Sequence, residues 1–190
     1  MKKLIFCFIA LTTISCSTSK KVVSTTVKED VTSIKIIETA IKDEAGNLIG
    51  VATKDSFLQE PYANWFSPNY EDYSINEPII KQLKPLLKKV TIKAFMGTWC
   101  GDSQEQTPVF YKILDNVDFD YTNLELVSVD RSKTTPDNLQ EGFDIERVPT
   151  FIFYKEGKEI GRFVEYPRES VEEDILKIVS GLPYKHSYDN

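Results

Sequence analysis

The chain has 190 residues, enough for one domain with extensions, and its 41% hydrophobic and 27% charged content is that of an ordinary globular protein. A net charge of −6 argues against a nucleic-acid partner, because no basic patch offsets it and the only like-charge clusters are short lysine pairs.

Residues 1–15 read as a targeting segment rather than as fold. Lys2 and Lys3 form a positive n-region, and Leu4 to Leu11 an apolar stretch too short to span a bilayer as a permanent helix. Small and hydroxyl residues then lead to Cys16, which completes a secretory signal. Ile14, Ser15 and Cys16 resemble the end of a bacterial lipoprotein signal, with Thr13 where that pattern more often has leucine. The resemblance implies that Cys16 becomes the lipidated first residue of an exported protein, anchored to a membrane and facing the periplasm. The alternative is an ordinary cleaved signal with Cys16 incidental. On the lipoprotein reading Cys7 leaves with the signal and Cys16 is blocked. Cys100 is then the only free thiol, and no internal disulfide can close despite an oxidising compartment.

Residues 16–33 follow as the lipidated cysteine and a tether, with eight Ser or Thr between 17 and 33. Residues 34–75 form an extension. Within it, 34–41 and 48–53 predict a β-hairpin around the turn residues 43–47, although Glu38 to Glu44 could also start a helix. Residues 61–73 hold Tyr62, Trp65, Phe66, Tyr70 and Tyr73, with Pro61 and Pro68 expected to break regular structure. Those rings either cover one edge of the following domain or grip a substrate.

The pattern changes from Ser74. Asn76 or Ser74 caps a helix with Pro78 in its first turn, and Ile79, Ile80, Leu83, Leu86 and Leu87 share one face. Residues 90–96 predict a buried strand that runs into Gly97. A helix follows Cys100, with Pro108 near its start and Val109, Phe110, Ile113, Leu114 and Val117 at helical spacing. Residues 124–130 predict a strand, 136–143 a helix, 150–154 a strand, and 159–166 a strand reached through a tight turn. Ser170 and Glu173 form a capping box for a last helix, which carries Val171, Ile175, Ile178 and Val179 inward and stops at Gly181. Residues 182–190 are a polar tail, with His186, the only histidine, expected to be solvated. The order implies a parallel crossover followed by a hairpin: an α/β domain over 76–181, a mixed central sheet with helices on both faces.

Trp99-Cys100-Gly101 between a strand and a helix, Pro108, Asp130 at a strand end, Val148-Pro149-Thr150 before a strand, and Gly157 and Gly161 in the hairpin together resemble the thioredoxin family. The resemblance implies a thioredoxin-like fold, Cys100, Ser103 and Pro149 as catalytic positions, and Trp99, Gly101, Val148 and Thr150 as substrate-binding positions. It also implies a cis Val148-Pro149 bond and substrate pairing to the Val148 backbone like an added strand. The chain departs from the family pattern at three places. Ser103 replaces the resolving cysteine, Asp102 the intervening proline, and Ala94 a buried acid.

A helix N-terminus favours a negative sulfur at Cys100, and Ser103 one turn on can donate a hydrogen bond to it, while Asp102 opposes both. A lone thiol can attack a disulfide, but the mixed disulfide needs a second thiol from elsewhere. The leading reading is therefore monothiol exchange (reduction, isomerisation or trapping) with cysteine-containing exported proteins or small thiols. The alternative is a redox-inactive binding or chaperone-like module on the same scaffold, and a weaker one is thiol peroxidase chemistry. No cofactor or metal is expected: Asp102, Glu105 and Asp130 lack a ligand spacing, and no phosphate-binding glycine loop is present.

Overall fold

The structure, a computed structural model, describes residues 39–189. The expected signal, Cys16, the tether and residues 34–38 of the predicted hairpin lie outside the described residues.

Six strands form one mixed sheet. In spatial order they are β1 (Ile41–Lys42), β2 (Leu48–Ala52), β4 (Leu124–Ser128), β3 (Val90–Met96), β5 (Thr150–Lys155) and β6 (Lys158–Val164). The helices are α1 (Lys54–Phe57), α2 (Ala63–Asp72), α3 (Glu77–Leu87), α4 (Gly101–Asn116) and α5 (Val171–Ser180). β3 and β4 are parallel and joined through α4, as the crossover reading requires, and every other pairing is antiparallel. None of the described helices is long and apolar enough to cross a membrane.

The extension joins the sheet. Asp43 accepts from the backbone N–H groups of Ala45 (2.9 Å) and Asn47 (2.8 Å), which closes the β1–β2 turn and decides against a helix there. β2 then pairs with β4, Gly50 opposite Ser128.

Pro61 and Pro68 do not break the aromatic segment, because α2 runs through Pro68. Pro61 precedes the helix. Pro68 forfeits one bond, to the carbonyl of Asn64, an exposed residue where water can serve. Aromatic packing offsets that loss. Phe66 is 1% exposed, with its ring 5.7 Å from Phe57, 6.0 Å from Tyr70 and 5.8 Å from Tyr111. Trp65 is half-buried against the same cluster. Phe57, Trp65, Phe66, Tyr70 and Tyr111 thus pack together and cover an edge of the domain.

Asp115, near the end of α4, ties the extension down. It accepts from Lys54 Nζ, from Tyr70 Oη (2.6 Å) and from Tyr121 Oη (2.7 Å). Burial alone pushes its carboxyl up, but the bonds from Lys54, Tyr121 and Tyr70 outweigh burial and hold it below the ordinary range. A lowered native value stabilises the fold above the unfolded carboxylate pKa, and the gain is lost as pH falls through the native value. Asp115→Ala should therefore cost about 1–3 kcal/mol at neutral pH. The difference from wild type in urea denaturation should shrink as the pH is lowered below about 4. A gap independent of pH would contradict this account.

Residues 136–143 are not helical. Leu139 and Phe143 mimic helical spacing, but Asn138 (φ 53°), Gly142 (φ 82°) and Asp144 (φ 53°) adopt left-handed conformations that end any helix. Thr135 Oγ1 accepts from Leu139 N–H (2.9 Å) and Gln140 Oε1 from Thr135 N–H (2.9 Å), so side chains hold a run of turns. These turns still serve the core. Leu139, Phe143 and Ile145 cover the sheet face made by Val51, Phe95, Val127, Val129, Val148 and Ile152. The alternate strand positions, Ile92, Ala94, Leu126, Phe151 and Phe153 among them, join one cluster with apolar residues of all five helices.

Ser170 caps α5 by accepting from Glu173 N–H (3.2 Å), and Gly181 ends it at φ 74°, as the sequence predicts. The tail is not simply solvated. Arg168 donates to the carbonyls of His186 and Asp189 (both 2.8 Å), and His186 itself is half-buried beside Asp189.

Candidate active site

β3 is the buried central strand that delivers the site. After Met96 the chain turns, Cys100 N–H donating to the Gly97 carbonyl (2.9 Å), and enters α4 with Cys100 as N-cap. The Cys100 carbonyl accepts the first bond of α4, from Gln104 N–H (2.9 Å). Its sulfur therefore sits at the end of the helix where backbone N–H groups lack intrahelical partners and the dipole favours negative charge.

The Val148-Pro149 bond is cis, and the Cys100 thiol donates to the Val148 carbonyl at 3.2 Å. Pro149 in turn accepts from Glu165 N–H (2.7 Å), which fixes the loop to the end of β6. Thr150, expected to contact substrate, is 2% exposed. Its hydroxyl donates to the Arg147 carbonyl (2.7 Å), so it shapes the loop from inside. Gly101 is exposed, and a Cβ there would meet nothing within 4 Å, while Cys100 itself is half-buried.

Trp99 is folded back over the turn. Its Nε1–H donates to the Val129 carbonyl (2.8 Å), and the Arg131 guanidinium lies 5.3 Å from the ring centroid. A Cβ on Gly97 would come within 2.5 Å of Trp99 Cε2, so only glycine lets the indole take this place.

Ser103 departs from the expected role. It is fully buried, and its oxygen accepts from Gly97 N–H (3.2 Å). The hydroxyl ties the first turn of α4 to the end of β3, while the sulfur's partner is the Val148 carbonyl. The helix face i, i+3, i+4, i+7 from Ser103 carries Gln106, Thr107 and Phe110, all buried. Polar residues at core-facing spacing were the signal for Gln106, which the sequence reading passed over.

The extension reaches the site at two points that sequence reasoning missed. Thr98 Oγ1 accepts from Leu48 N–H of β2 (3.1 Å). Pro108 has no N–H to give the Gln104 carbonyl, and Asn69 of α2 donates to that carbonyl instead (3.1 Å). No group of three potential metal ligands occurs among the described residues.

A family model described as thioredoxin matches residues 56–177, a span that begins inside the extension. The chain is 25% identical over 95 residues to thioredoxin H9 of Arabidopsis thaliana, covering 50% of this chain and 64% of that one. It is 28% identical over 98 residues to thioredoxin of Gallus gallus, covering 52% of this chain and 88% of that one. The match thus spans just under two thirds of the plant protein and most of the avian one. Mitochondrial thioredoxin 3 of Saccharomyces cerevisiae in its oxidised form superposes with a TM-score of 0.35 at 22% identity, over 54% of this chain and 90% of that chain.

Proposed function

The chain belongs to the thioredoxin family, and from that premise we propose that it performs monothiol thiol–disulfide exchange on exported proteins through Cys100, held at a membrane surface by a lipid on Cys16. Family membership supports a thiol–disulfide redox function in general. The monothiol reading rests on one observation: Cys100 stands at the N-cap of α4 with its sulfur against the Val148 carbonyl, and the side chain one turn on is a buried hydroxyl.

In this reading the Cys100 thiolate attacks one sulfur of a substrate disulfide. A new S–S bond forms to Cys100, the substrate S–S bond breaks, and the second substrate sulfur leaves as a thiolate that takes up a proton. Ser103 cannot repeat the attack, because a hydroxyl is no nucleophile toward sulfur at neutral pH. A thiol from a small molecule or from the substrate's other cysteine releases the adduct. That step regenerates Cys100 and forms a disulfide that includes the incoming thiol. Cys100 is the catalytic residue. Val148 and Pro149 shape the approach to it, Trp99 walls one side and the exposed Gly101 adds no side chain.

The test uses 2,2′-dithiodipyridine, a small neutral disulfide. The reduced mature chain, with Cys7 removed and Cys16 acylated, should release one thiopyridone per chain faster than a free thiol does at the same pH, a release that Cys100→Ala removes. Equal release from Cys100→Ala would overturn the proposal.

A further inference from the structure

Beside the α4 N-terminus lies a groove of about 520 Å³, walled by α4, by α2 of the extension and by the segment joining β6 to α5. Its carboxylates are Asp72, Asp102, Glu105 and Glu169, and no lysine or arginine is among the described residues that line it. Glu169 is paired with Lys177 (2.7 Å), whereas Asp72, Asp102 and Glu105 make no ion pair among the described residues. The rings of Tyr73 and Tyr166 add apolar wall.

A second observation is independent of this charge. Gln106 lines the same groove, is 6% exposed, and its side-chain amide has no hydrogen-bond partner among the described residues. The buried unpaired side-chain atoms among the described residues belong to Thr107 and Asp174, so the Gln106 amide opens to solvent in the groove, where a carbonyl oxygen with an NH₂ group suits the peptide groups or the ammonium of a ligand.

We propose that this groove binds a lysine- or arginine-bearing segment of the disulfide-containing polypeptide and so selects cationic substrates for Cys100. The inference rests on the monothiol reading for its consequence, not for its site. Glu105 lies five positions past the N-cap Cys100, about 7.5 Å along the helix at 1.5 Å per residue and about 140° around it at 3.6 residues per turn. The segment therefore crosses the first turn of α4, a path of about 12 Å that an extended peptide covers in three or four residues at about 3.3 Å each. A cation at that spacing from the reacting cysteine would meet Glu105 and Asp72, with Gln106 beside the segment's backbone. Since no group of three candidate metal ligands exists among the described residues, a metal ion is not the favoured occupant.

The experiment compares three peptides, each activated as a thiopyridyl disulfide and identical except for Lys, Gln or Glu at the third and fourth positions from cysteine. With the full reduced chain at low salt, the lysine peptide should react about tenfold faster than the glutamate peptide, and the ratio should fall as salt rises. Asp72→Asn with Glu105→Gln should bring the ratio to within about twofold. The ratio cancels the intrinsic reactivity of Cys100. A ratio near one at low salt, or one untouched by the double substitution, overturns the groove. If dithiodipyridine shows Cys100 to be inert, the monothiol reading fails separately. Calorimetric binding of the lysine peptide with serine in place of its cysteine then decides the groove: tighter binding than the glutamate peptide supports it and equal binding overturns it. Gln106→Leu should weaken lysine-peptide binding. Unchanged binding would leave Gln106 outside the recognition surface and overturn its assignment.

Discussion

On the monothiol reading, Ser103→Cys should convert the protein from a reagent that holds its substrate to one that releases it. Ser103 is the third residue of α4 and Cys100 its N-cap. Side chains three apart on a helix face each other with Cβ atoms about 5–6 Å apart, and a disulfide accepts Cα separations of about 4.4–6.8 Å. A thiol at 103 would attack Cys100 Sγ in the mixed disulfide, close an internal disulfide and expel the substrate as a second thiol. Because that attack is intramolecular, the lifetime of the trapped adduct without added thiol should fall by on the order of a hundredfold or more. The gain has a structural cost. The Ser103 oxygen accepts from Gly97 N–H, sulfur is a poor acceptor, and leaving that buried N–H unpaired costs about 1–3 kcal/mol. The readout is adduct decay on non-reducing gels. An adduct as long-lived as in wild type would show that residue 103 cannot reach the sulfur and would remove the basis for calling Ser103 the missing resolving group.

The largest effect on stability is expected at Phe110. It is fully buried, its ring stacks on Phe151 at 4.1 Å with an interplanar angle of 14°, and Phe153 stands nearly perpendicular at 6.5 Å. Phe110 pins α4, which carries Cys100, to β5, which begins next to Pro149. Phe110→Ala should cost about 3–5 kcal/mol, the lost transfer energy plus the cavity left between helix and sheet. Against a typical domain stability of about 5–15 kcal/mol, that is enough to unfold a marginal protein. The urea midpoint should fall with the slope unchanged. A loss below about 1 kcal/mol would mean that the neighbouring rings refill the space and that the stack does not set the position of α4.

The site was legible in the sequence wherever its signal was local. Trp99 to Gly101 stand at a strand-to-helix junction, and a cap, a kinking proline and an X–Pro bond before a strand each act within a few residues. What depends on distant partners was not legible. The turn residues 43–47 and the run that returns after them mark β2 as a strand but do not name β4 as its neighbour, so the joining of the extension to the sheet, Gly50 beside Ser128, could not be read. Pro68 was misread because the tertiary packing of Phe66 outweighs a local breaker. Residues 136–143 failed the other way: Leu139 and Phe143 are apolar at helical spacing, but the turn-forming Asn138 and Gly142 decide the backbone. Ser103 was given the sulfur as partner from proximity alone, whereas the fold offers the nearby Gly97 N–H.

The measurement that bears most directly on the central claim is the intact mass of the reduced mature chain, with Cys7 removed and Cys16 acylated, after incubation with an unstrained protein disulfide, with the attachment site mapped by peptide digestion. The account predicts one covalent adduct, attached at Cys100 and formed faster than a free thiol forms one. The adduct should persist until external thiol is added and be absent in Cys100→Ala. An adduct that forms no faster than with free thiol, or that attaches elsewhere than at Cys100, would contradict it.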